Sequence, residues 1–128
     1  MSLSGLVNPL SLEAAADLRT HQYKILRLTA AGTVNLANAG NQDAMGVLQN
    51  DPNSGQMASV SRPGDETKVI AGAAIGSAGI LLASDANGLA VTATSGEFVV
   101  GRALTTATGS GAVIRMIQSP FIPNAPLA

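Results

Sequence analysis

Turn signals recur so often along this chain that no long helix fits between them. Asp51-Pro52-Asn53-Ser54-Gly55 carries proline to preset φ, asparagine to tolerate left-handed geometry and glycine to adopt it freely. Asp85-Ala86-Asn87-Gly88 contains Asn-Gly, a strong hairpin signal. Pro63-Gly64-Asp65 and Thr108-Gly109-Ser110-Gly111 add two more breaks. The runs between them alternate with period two. Leu26 and Leu28 alternate with Ile25, Arg27 and Thr29; Val34 and Leu36 alternate with Thr33 and Asn35; Leu89, Val91 and Ala93 alternate with Ala90, Thr92 and Thr94. That texture predicts an all-β domain over residues 23–118, a compact sandwich or barrel of short strands.

Within that domain the glycines echo. Gly32, Gly40, Gly46 and Gly55 recur as Gly88, Gly96, Gly101 and Gly111, displaced by 56, 56, 55 and 56 residues. Two readings stand: two related β units over 23–62 and 79–118 joined by 63–78, or one continuous set of similar hairpins. The flanks have a different character. Residues 1–22 read as an N-terminal arm that orders against another surface. Ser11 is placed to cap two helical turns over Leu12–Arg19, although so short a helix is marginal alone. Residues 119–128 form a second arm, with Pro120, Pro123 and Pro126 at the three-residue period of polyproline II. Leu6, Val7, Leu10 and Leu12 on the first arm, and Phe121, Ile122 and Leu127 on the second, are the candidate partner-binding residues.

Composition matters most for what it denies. The chain has no cysteine and one histidine, so thiol chemistry, zinc knuckles and any two-histidine site are excluded. His21, between Thr20 and Gln22, reads as a solvated or interface imidazole rather than a catalytic base. The Asp51–Gly55 turn lacks the glycine and the bidentate glutamate of a calcium loop, with Arg62 at the twelfth position. Gly109-x-Gly111 lacks the third glycine of a dinucleotide fingerprint. The sequence therefore predicts no enzyme, no metal and no cofactor. A net charge of −1 leaves no basic footprint for nucleic acid. The uncharged run from Val69 to Ser84 is broken by Gly72, Gly76 and Gly79 and is too short to span a bilayer, so no membrane partner is expected. Residues 1–18 hold no lysine or arginine, which argues against a secretory signal and for synthesis and assembly in a cytoplasm. Charged residues make up 12% of the chain, about half the usual share, a surface suited to burial against other chains.

Three stretches taken in order resemble a known family: GVLQNDPNSG (46–55), TKVIAGAAI (67–75) and SDANGLAVTATSGEFVVGRAL (84–104). Together they resemble the small capsid-cement, or head-decoration, proteins of tailed bacteriophages, over about residues 24–118. The resemblance implies a β-rich, non-enzymatic virion protein on the outside of an icosahedral head. It would sit where major-capsid-protein subunits meet and brace them against internal DNA pressure. It also implies self-association, as a homotrimer or a dimer. The alternative is a small β module on the virion surface that recognises a glycan or another host-surface ligand. Such sites usually display aromatics for stacking, and this chain offers only Tyr23, Phe98 and Phe121.

Overall fold

The computed structural model describes residues 10–40 and 44–119. Those residues form ten strands and no helix: β1 (Leu10–Glu13), β2 (Ile25–Leu28), β3 (Val34–Leu36), β4 (Ala44–Val47), β5 (Met57–Val60), β6 (Glu66–Ile70), β7 (Leu81–Ser84), β8 (Ala90–Thr92), β9 (Gly101–Ala103) and β10 (Val113–Gln118). All strand pairs are antiparallel. They make a two-stranded sheet β1-β5, a three-stranded sheet β3-β2-β4 and a five-stranded sheet β6-β10-β9-β7-β8. The fold is all-β, in keeping with the turn chemistry.

The pairing is the same twice over. Leu26 faces Leu36 on one side and Gly46 on the other. Leu82, 56 residues on, faces Thr92 and Gly101. Leu12 faces Ala58 in β1-β5, and Val69 faces Ile114 in β6-β10. A bridge between Leu48 and Val60 links β4 to β5, where Ala103 pairs with Met116 in the second half. Parallel bridges Ala14–Val34 and Ala71–Ala90 then join the first strand of each set to its third, so each set of five closes on itself as a small barrel. The first unit runs from β1 to β5 and the second from β6 to β10.

These bounds differ from the sequence reading. Residues 10–22 are not a free arm, and Leu12–Arg19 is not helical. Leu10 and Leu12 lie half-buried on one face of β1 while Ser11 and Glu13 are exposed, a strand alternation that β5 rewards with a full register of hydrogen bonds. The helix would have offered only a weak apolar stripe in two turns. Likewise, the segment taken as a joiner contains β6, the counterpart of β1.

The cores repeat too. Ala14, Leu18, Leu26, Val34, Leu48, Ala58 and Val60 form the first. Their counterparts Ala71, Ile75, Leu82, Ala90, Ala103, Ile114 and Met116 all lie in the second. Two glycines show why the register is fixed. A methyl on Gly46 would lie 2.4 Å from the Ser61 carbonyl oxygen, and one on Gly101 2.4 Å from that of Ile117. The next strand passes so close that neither position admits a side chain. Tyr23, with φ of 68°, is the lone non-glycine in left-handed geometry among the described residues, and its counterpart is Gly79. Tyr23 is held there from both sides: its amide donates to the Leu48 carbonyl at 2.7 Å and its carbonyl accepts from the Ile70 amide at 3.0 Å.

Candidate interaction surface

Of the seven candidate partner-binding residues, Leu10 and Leu12 lie within the described residues; Leu6, Val7, Phe121, Ile122 and Leu127 lie outside them. Leu10 and Leu12 pack against the first core, so much of their apolar surface is already used within the chain.

The single imidazole is tied locally. His21 Nδ1 lies 3.0 Å from the Lys24 ammonium, which donates to it. Burial pushes the imidazole below its ordinary 6.5, the Lys24 charge pushes it the same way, and Asp17 opposes both. The folded protein therefore binds this proton less readily than the unfolded chain. Stability contributed here is full above about 6.5 and is lost as pH falls below that value. The stability gap between wild type and His21→Gln should accordingly narrow in chemical denaturation below that pH. A gap constant from pH 8 to pH 5, on the order of the span over which histidine titrates, would contradict it.

The remaining charges are spread out. Arg19 makes a bidentate pair with Asp17, and hydrogen bonds from the Arg19 guanidinium and amide hold the exposed Asp17 carboxyl down at about 2. Arg115 pairs with Glu66 across β10 and β6 at 3.0 Å, with both side chains more than half exposed. Lys68 sits 5.8 Å from the Tyr23 ring centroid. Asp85 accepts from the amides of Asn87 and Leu89 and shapes the β7–β8 turn. In the Asp51–Gly55 turn, Asn53 Oδ1 accepts from the Ser54 amide. No group of three or more metal-ligating side chains occurs among the described residues, and no helix there is long and apolar enough to cross a membrane.

Between the two units lies a buried polar seam. The Ser61 hydroxyl donates to Gln118 Oε1 and accepts from the Val47 amide at 2.9 Å. Gln118 Nε2 reaches the Met45 carbonyl at 3.4 Å, and Gln49 Nε2 donates to Thr67 Oγ1 at 2.7 Å. Gln118 and Ser61 are 2% and 4% exposed, so neither finds water as a substitute. Gln118→Ala should lower unfolding stability by about 2–3 kcal/mol, from lost contacts and a stranded hydroxyl. Denaturant titration reads this directly; a loss within ~0.5 kcal/mol would mean the seam carries no net stability.

Beside the seam, the outer face of the second unit opens into an apolar groove of about 300 Å³ lined by Leu81, Val99, Gly101, Arg102 and Ile117. Arg102 lies at its rim, with Nη1 donating to the Gly79 carbonyl at 3.0 Å. Ile117 is 40% exposed there. Sequence reading missed this groove. The signal lies in the echo: at matched positions Ser61 becomes Ile117 and Ala44 becomes Val99, an apolar gain on a face the strand pattern alone assigns to solvent. Met57 and Val113, another matched pair, are each 56% exposed where β5 and β10 begin.

The fold is that of a bacteriophage head-fiber base. The chain superposes on the crystal structure of the head fiber gp8.5 N base of bacteriophage phi29 with a TM-score of 0.69, over 87% of this chain and 92% of that one, at 23% identity. No family model matches the chain, and no curated protein matches it in sequence.

Proposed function

We propose that this protein is a structural component of a tailed-phage virion, a capsid cement that binds the outer surface of the icosahedral head where major-capsid-protein subunits meet. The observation that carries the reading is the shared architecture with a phage head-fiber base over nearly the whole of both chains. The ordered motifs at 46–55, 67–75 and 84–104 point the same way. In this reading its partners are the major capsid protein and further copies of itself, as a homotrimer, and it is assembled in the bacterial cytoplasm.

The mechanism is one of differential affinity. A protein that binds the mature lattice more tightly than the immature or ruptured one stabilises the mature lattice by that difference. Repetition over a symmetric shell makes many modest contacts act together. Ordering an arm costs about 1–2 kcal/mol per residue in backbone entropy, so an arm that grips needs apolar anchors. Leu6 and Val7 before β1, and Phe121, Ile122 and Leu127 after β10, are the anchors this sequence offers.

Co-sedimentation with purified heads of the phage that encodes it tests the reading. The expected result is saturable binding to expanded heads, weaker binding to unexpanded ones, and greater resistance of decorated heads to heat. Chains lacking residues 1–9 or 120–128 should bind less. The cut at residue 9 spares β1, which a longer deletion would destroy. Free protein left in the supernatant at every ratio would overturn the proposal.

A further inference from the structure

The two units pack head to tail. The face that the first unit turns to the second centres on Ile25, Ala37 and Val47, none of them exposed, with Tyr23 and Ala44 beside them. What it covers includes the β7–β8 turn. The Ile25 amide donates to the Gly88 carbonyl at 2.7 Å. Gly88 is buried, and a methyl there would lie 3.0 Å from the Ile25 oxygen and 3.3 Å from Leu36 Cδ2. A contact between one unit's face and another unit's turn is not self-complementary. Each unit therefore keeps the half that the other has used.

Both leftover halves are in the structure. The second unit keeps the face: Leu81 stands at the Ile25 position, Val99 at that of Ala44 and Arg102 at that of Val47, and these residues line the groove. The first unit keeps the turn: Gly32 is exposed where its counterpart Gly88 is buried, and nothing lies within 4 Å of a methyl built on Gly32. Leu28, next to that turn, is 49% exposed, whereas its counterpart Ser84 is 4% exposed. An apolar side chain of that size left in water on β2 matches an apolar groove left open across β7, β9 and β10.

We propose that the groove of one copy receives the β2–β3 turn of a second copy, repeating between chains the contact already made within each chain. The interface is heterologous, so successive copies run on head to tail until the rotation closes a ring. This rests on the self-association part of the reading above and not on capsid binding. Its test uses the purified full chain without capsids, so failure here leaves the co-sedimentation result standing.

Two exposed substitutions break the two halves separately: Ile117→Asp in the groove and Leu28→Asp beside the turn. Wild type is expected to sediment as a multimer. Each variant should associate at least tenfold more weakly, while at a concentration low enough to keep wild type monomeric its thermal melt matches wild type; Arg102→Glu replaces Ile117→Asp if that variant melts earlier there. An equimolar mixture of the two variants should recover one junction per pair and sediment as a heterodimer and no further, because the intact turn of one fills the intact groove of the other while the two remaining halves are both broken. A chain ending at Ser119 should assemble as the full chain does. A monomeric wild type, a variant that associates normally, or a mixture without recovery would each overturn the proposal. Loss of assembly on removing residues 120–128 would overturn it too, assigning the groove to that segment.

Discussion

Gly101→Val should unfold the second unit, with a loss of about 4 kcal/mol or more. The Cβ alone would lie 2.4 Å from the Ile117 carbonyl oxygen and 2.7 Å from Met116 Sδ. Overpacking of a core commonly costs about 1–3 kcal/mol because side chains shift to make room. Here the obstacle includes backbone, and it cannot shift without breaking register. Gly101 faces Gln118 on β10 and Leu82 on β7, so both sides of β9 would separate. Circular dichroism and denaturant titration would read the loss. A folded variant with near wild-type stability would mean β9 and β10 part more freely than their register implies.

Ile25→Ala and Leu81→Ala should differ severalfold although the residues occupy matched positions. Ile25 has no exposed surface and packs in the second unit's core cluster from the first unit's side. Truncation leaves a cavity where neither unit can easily close in, at an expected 3–4 kcal/mol. Leu81 is half-buried at an open groove, where water replaces what is removed; about 1 kcal/mol is expected for a monomer. Unfolding measured at low protein concentration keeps any copy-to-copy contact out of the comparison. Equal losses would show that the unit boundary does not shield Ile25 as described.

The same pair of residues shows how far the sequence could be read. Alternation predicts one buried face per strand, and β10 obeys it, with Ile114, Met116 and Gln118 buried and Val113, Arg115 and Ile117 exposed. On β2, however, Ile25 and Leu26 are both buried. Leu26 points into the first core and Ile25 into the contact with the second unit, and no local pattern announces a second layer. Leu28, in phase with Leu26, is nonetheless half exposed at the end of the strand, beyond the reach of the first core. At the start of β8 the fully buried residue is Ala90, which takes the parallel bridge from Ala71, and not its larger neighbours Leu89 and Val91.

Turn positions were legible because glycine and asparagine chemistry is local. The turn at Gly88 is where the Asn-Gly pair placed it, with φ of 75°. Strand β1 was not legible, because its partner β5 lies more than forty residues away, and four residues such as Leu-Ser-Leu-Glu carry little signal alone. Leu10 and Leu12 stand out in the sequence by apolarity alone, and apolarity does not separate a strand facing its own core from one facing a neighbour. The groove was hidden for a related reason. Its lining comes from β7, β9 and β10, which only the topology brings together.

The closure of each five-strand set has a last consequence. An open sheet ends in a row of bare amides and carbonyls that invites any other strand to zip onto it. Here the parallel bridges at Ala14–Val34 and Ala71–Ala90 seal that seam with the chain's own backbone. That seam therefore offers no starting point for a strand of another chain to extend the sheet toward a fibre.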